Sequence, residues 1–120
     1  MAEQQTAERS PEIAIANTIV QIHKDGYGKG ATKVRTRMMG DTIIVELEDM
    51  LTRAELTLLA AGREEQIRET RHVFQQAHRA QFVGAVEEIT GRKVRAFMSQ
   101  VHFDPDIAVE IFLLEPEAEE

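Results

Sequence analysis

The chain has no cysteine. That excludes a disulfide framework and any thiolate metal centre, and it agrees with a reducing compartment without requiring one. Long apolar runs are also missing: no stretch approaches the ~20 residues that a bilayer-spanning helix needs. Residues 1–10, MAEQQTAERS, have neither a basic start nor an apolar core, so they do not read as a signal peptide. Positive charge is scarce, with 14 Lys and Arg against 21 Asp and Glu and a formal net charge of -7. Such a field repels a polyanion, which counts against DNA or RNA as a partner. Part of the acidity is EPEAEE at 115–120, the composition of a solvated tail.

What is present is a chain of 120 residues, enough for one domain with one modest core. Its most orderly stretch runs from Gly26 to Leu59: a glycine-rich entry, a strand, a tight turn, a second strand and a marked helix start. Before it, Ser10 and Pro11 suit the N-cap and first position of a helix. Ile15, Ile19 and Ile22 give that helix one apolar stripe, widened by Ala16 and His23, and Asp25-Gly26 suits its end. Strands are expected near Thr32–Met39 and Thr42–Glu48, joined by Gly40-Asp41 as a two-residue turn. That turn places Met38 opposite Ile43, Thr36 opposite Val45 and Val34 opposite Leu47 on an apolar face. On the other face Arg35 meets Glu46 and Lys33 meets Glu48. A slip of one residue would destroy both faces at once.

Thr52 and Glu55 form a capping box, with Leu51 placed to staple onto Leu56. A short helix to about Ala60 is followed at Gly62 by a bend. One long helix is then expected from Arg63 to Thr90, with the stripe Ile67, Phe74, His78, Phe82, Ala85 and Ile89, ended by Gly91. A last hairpin pairs Lys93–Phe103 with Ile107–Leu114 around Asp104-Pro105-Asp106. With Phe103 opposite Ile107, one face collects Phe97, Val101, Val109, Ile111 and Leu113. The other face carries Ala96, Met98, Phe112 and Leu114 beside Gln100, Glu110 and His102. That second face is too apolar for a wet surface, so Ala96, Met98, Phe112 and Leu114 are the interface candidates. The order α-β-β-α-α-β-β predicts an α+β fold, a four-stranded antiparallel sheet with helices packed on one face. The expected layout is a flexible tail at 1–10, one domain at 11–114 and an acidic tail at 115–120.

Chemistry-bearing patterns are weak. Gly26-Tyr27-Gly28-Lys29-Gly30 lacks the Walker A spacing and follows a helix instead of a strand, so a turned linker explains it best. Gly28, Lys29, Gly30 and Lys33 are nonetheless the candidates for an anion or nucleotide site. His23, His72, His78 and His102 match no ligand spacing, and no metal or cofactor is expected. The basic strip Lys33, Arg35, Arg37 lacks interleaved aromatics and is better explained by Glu46 and Glu48 across the hairpin. Ser99 has no His or Asp at a spacing that marks a nucleophile. No catalytic residues are assigned, and the expectation is a protein that is not an enzyme.

Several segments, in order, carry a likeness to a known family: Tyr27-Gly28-Lys29-Gly30, Gly40-Asp41 with Thr42-Ile43-Ile44-Val45-Glu46-Leu47, Leu51-Thr52-Arg53-Ala54-Glu55, Glu88-Ile89-Thr90-Gly91-Arg92-Lys93-Val94, and Val109-Glu110-Ile111-Phe112-Leu113. Over residues 11–115 the chain resembles small bacterial cytosolic proteins labelled as the C component (MpsC) of a sodium-translocating, membrane-potential-generating system. It departs at Ala31, where the family usually has proline, and at Gln100, where an acidic residue is usual. The resemblance brings no catalytic residues with it. It implies a cytoplasmic accessory protein, peripheral to the membrane through a membrane transport partner and not inserted in the bilayer. The apolar face and free strand edge of the last hairpin add the expectation of a homo-oligomer.

Overall fold

A computed structural model describes residues 10–117. Expectations for the stretches 1–9 and 118–120 therefore lie outside the described residues. Helix α1 (Pro11–Tyr27) opens the chain, followed by β1 (Lys33–Met39) and β2 (Thr42–Glu48). Three helices come next, α2 (Arg53–Ala60), α3 (Glu64–Ala77) and α4 (Arg79–Thr90). The hairpin β3 (Val94–His102) and β4 (Ile107–Leu114) closes it. The four strands form one antiparallel sheet in the order β1-β2-β4-β3, with the helices on one face. This is the α+β architecture that the pattern predicts.

The first hairpin has the expected register at every pair, including Met38 with Ile43 and Lys33 with Glu48. Apolar alternation selects that register, because one step would turn Ile43, Val45 and Leu47 into solvent. All three are fully buried under the helices. They meet Ile15, Ile19 and Ile22 of α1, Phe82 and Val86 of α4, and Phe97, Ala108, Phe112 and Leu114 of the second hairpin. A smaller cluster of Leu51, Ile67 and Phe103 sits under Leu58 and Leu59.

Three local expectations are corrected. α1 runs to Tyr27, and Gly28 is its left-handed cap, with φ 79° and its N–H on the Lys24 carbonyl. The helix expected from Arg63 to Thr90 breaks at His78. There the imidazole Nδ1 lies 3.0 Å from the Phe74 carbonyl, which also accepts the His78 backbone N–H. A side chain bidding for a ladder carbonyl is a recognised cause of such breaks. The capping box forms, with Glu55 N–H to Thr52 Oγ1 at 3.1 Å and Thr52 N–H to Glu55 Oε1 at 2.9 Å. The staple does not, because Leu51 turns into the small cluster while Leu56 stays exposed.

The largest correction is the second hairpin. His102, not Phe103, lies opposite Ile107, so the connection is one residue longer than expected. Because side chains alternate with period two, that step turns the whole of β4 over. Ala108, Glu110, Phe112 and Leu114 face the helices, and Ile107, Val109, Ile111 and Leu113 face outward. Phe103 leaves the ladder and packs into the Leu51 cluster, with the Arg68 guanidinium over its ring. Leaving the ladder lets Phe103 pack against Leu51 and Ile67, which favours the longer turn.

Candidate functional site

The interface candidates separate on this register. Phe112 and Leu114 are core residues with no exposure, so the expectation that they line a free surface is wrong. Met98 is 47% exposed on the outer sheet face, and Ala96 is half-buried beside it. β4 runs through the middle of that face with Ile107, Val109, Ile111 and Leu113. Ile111 is flanked by Ile44 on one side and Met98 on the other, and Leu113 by Thr42 and Ala96. Exposed Met39 extends the same apolar end across β1. The opposite end is charged, with Arg35 against Glu46 and Lys33 against Glu48. The outer face is thus an apolar half, bordered by Arg37 across from Ile44, beside an ionic half, with no described helix covering it.

The anion-site candidates do not converge into a cradle. Gly28 serves as the cap of α1. Gly30 lets the backbone approach α1 so closely that an added Cβ would lie 2.9 Å from Val20 Cγ1. Lys29 Nζ donates to the Asp49 carbonyl at 2.6 Å and lies 3.5 Å from the Asp49 carboxylate, so its charge closes the loop. Lys33 is exposed on the outer sheet face, across from Glu48.

A buried polar network lies between the helices and the sheet, and the sequence reading missed it. His23 Nε2 is 2.8 Å from Glu110 Oε2, with both side chains 1% exposed. Gln75 Nε2 donates to the same oxygen at 2.9 Å. Next to it, Arg71 donates to both Glu55 oxygens, at 2.7 and 2.5 Å, and to the Met50 carbonyl at 3.1 Å. Its guanidinium lies 4.1 Å from the centre of the Tyr27 ring. Tyr27, Phe74 and Phe82 surround the His23 imidazole.

Burial sets the ionisation of two of these groups. It pushes the Tyr27 phenol up to about 12. The Arg71 charge opposes that rise, while Glu55 and Glu110 add to it. Burial would also raise the Glu55 carboxyl, but hydrogen bonds from Arg71 and Thr52 and the Arg71 charge outweigh it. The carboxyl is held below its ordinary range.

The network's charged groups pair with one another, Glu110 with His23 and Glu55 with Arg71. A hydrolytic relay would need a hydroxyl on the free imidazole nitrogen, but His23 Nδ1 is buried without a partner. Ser99, the cross-strand neighbour of Glu110, does not reach it. Among the described residues no group of three potential metal-ligating side chains converges, and no helix is long and apolar enough to cross a membrane.

One signal could have exposed this network. Arg71 and Gln75 follow Ile67 at steps of four, on its own helix face, and Glu110 interrupts an otherwise apolar strand. Polar residues at core positions imply partners at other core positions.

Comparison with known proteins now gives the chain its relatives. The family described as "Na+-translocating membrane potential-generating system (MpsC)" matches residues 8–116. The chain belongs to the MpsC family. Within reach of it is the "Uncharacterized protein YbcI" of Bacillus subtilis (strain 168), 32% identical over 108 residues, which span 88% of this chain and 86% of that protein. No solved structure matches. The MpsC match takes in every element from α1 to β4, so the network and the outer face both lie within the family domain.

Proposed function

We propose that this chain is a non-catalytic, cytoplasmic accessory component of the sodium-translocating system that names its family. It self-associates through the outer face of its sheet and serves a membrane protein that carries the ion path. The observation that carries the reading is the apolar half of the outer face, built by Ile44, Met98, Ile111 and Leu113. A contiguous apolar patch on an uncovered sheet favours a protein contact over water. The inward placement of His23, Glu110, Gln75, Arg71 and Glu55, each bonded to another member of the set, supports a structural role for the residues best suited to chemistry.

The cysteine-free chain makes the test direct. A Met98→Cys variant carries a single thiol at the patch, and Val73→Cys carries one at an exposed helix site on the other side. Bismaleimide treatment of native cells should join Met98→Cys to a second copy, and a membrane-spanning protein should co-purify with the joined pair. Val73→Cys should give little of the pair. If Met98→Cys gives no pair, or both variants give it equally, the reading fails.

A further inference from the structure

The free edge of the sheet adjoins a cleft of about 390 Å³ between β3 and α3. Hydrogen bonding along β4 shows which groups this edge presents. Leu114 N–H donates to the Asp41 carbonyl at 2.8 Å, and Asp49 N–H to the Asp106 carbonyl at 3.0 Å. Even-numbered residues of β4 therefore turn their backbone groups toward β2, and odd-numbered ones toward β3. Through the register, Ala96, Met98, Gln100 and His102 answer those odd-numbered residues. Phe97, Ser99 and Val101 must then point their N–H and C=O groups off the sheet. The Arg79 guanidinium confirms the direction, reaching the Phe97 carbonyl at 3.3 Å from outside the ladder. The backbone groups of Ser99 and Val101 are left facing the cleft.

The helix wall is cationic and amidic. Arg68, Arg71, His72, Gln75 and Gln76 line it, and no Asp or Glu side chain does, in a chain of net charge -7. Gln75 is 8% exposed, and its Oε1 is a buried acceptor without a partner. Phe97 and Val101 give the floor apolar contact. Unpaired strand edge, apolar floor and facing helix together are the geometry by which folded domains take an extended peptide as an added strand. The ladder groups supply affinity, and the facing wall selects the side chains.

We propose that the β3–α3 groove binds an extended, acidic segment of a partner protein by strand addition to Ser99 and Val101, with its carboxylates facing Arg68 and His72. Arg71 is already paired with Glu55, so Arg68 is the wall's uncompensated guanidinium, and with no lining carboxylate it favours an acidic segment over a basic one. The proposal differs from the outer-face reading in what it uses, the backbone edge of β3 and the α3 wall instead of the outward side chains, although Met98 borders both.

The test is an amide NMR titration of the full chain with acetyl-Glu-Val-Glu-Val-Glu-amide, against acetyl-Lys-Val-Lys-Val-Lys-amide and free glutamate. The acidic peptide should shift the Ser99 and Val101 amides saturably, and the lysine peptide and glutamate should not. Arg68→Glu with His72→Glu, both at exposed positions, should weaken the acidic peptide about tenfold. Ser99→Pro should abolish binding while keeping the fold, since proline is tolerated where an edge N–H faces away from the ladder. Absence of saturable shifts at Ser99 and Val101 would overturn the proposal. So would equal shifts from both peptides, shifts reproduced by glutamate, or full affinity in the folded Ser99→Pro variant.

Discussion

His23 and Glu110 meet 2.8 Å apart in the middle of the fold, one on the first helix and the other on the last strand. Gln75 of α3 shares the same carboxylate oxygen, so three elements far apart in sequence are tied at one atom. Removing that carboxylate leaves two buried groups with nothing to bond. Each such loss costs about 1–3 kcal/mol. Glu110→Ala should therefore destabilise the protein by roughly 2–6 kcal/mol, and Glu110→Gln, which keeps one oxygen acceptor, by clearly less. Urea unfolding measures both, and equal losses would remove the hydrogen bonds from the explanation.

Tyr27 is the only tyrosine, and the chain has no tryptophan, so its ionisation is readable by ultraviolet absorbance. Its phenol, pushed up to about 12, should remain protonated well past the ordinary value of 10.0. The folded state then holds this proton more tightly than the unfolded chain. The stability it contributes is whole below 10 and is lost as pH rises toward 12. A folded-state midpoint near 10 would contradict the burial of the phenol.

Glu55 gives the opposite pH dependence. Its carboxyl is lowered from 4.5 in the fold, so its contribution is complete above that value and is lost as pH falls through the lowered one. Arg71→Met should cost about 3–5 kcal/mol at neutral pH, because it strands a buried carboxylate. It should also flatten the loss of stability in acid. An unchanged acid slope in that variant would show that the Arg71–Glu55 pair does not set it.

The two hairpins show what was legible in the sequence and what was not. The first is written twice, in an apolar face and a charge-paired face, and Gly40-Asp41 fixes the turn, so one register satisfies everything. The second has apolar residues on both faces of β4, from Ile107 to Leu114, and alternation cannot choose between them. The Asp104-Pro105-Asp106 turn admits connections of different length, and the burial of Phe103 decides the longer one. Met98 and Ala96 lie on the outer face, where their alternation in β3 puts them. Phe112 and Leu114 were misplaced because β4 turns over. The network went unseen for another reason: helical periodicity marks apolar stripes, and Arg71 and Gln75 enter a core stripe only because Glu55 and Glu110 meet them there.

That corrected register predicts unequal costs for two residues once placed on the same face. Phe112→Ala removes a fully buried ring and should cost about 3–5 kcal/mol. Met98→Ala, at an exposed site, should stay within about 0.5 kcal/mol. Thermal or denaturant unfolding compares them, and similar losses would restore the other register.

The outer sheet face as an interface is tested most directly by sedimentation equilibrium of the purified chain beside its Met98→Glu variant. The account predicts that the natural chain associates reversibly with rising concentration, and that the variant, equally folded, stays monomeric. A natural chain that remains a monomer at high concentration, or a Met98→Glu variant that associates just as well, would contradict it.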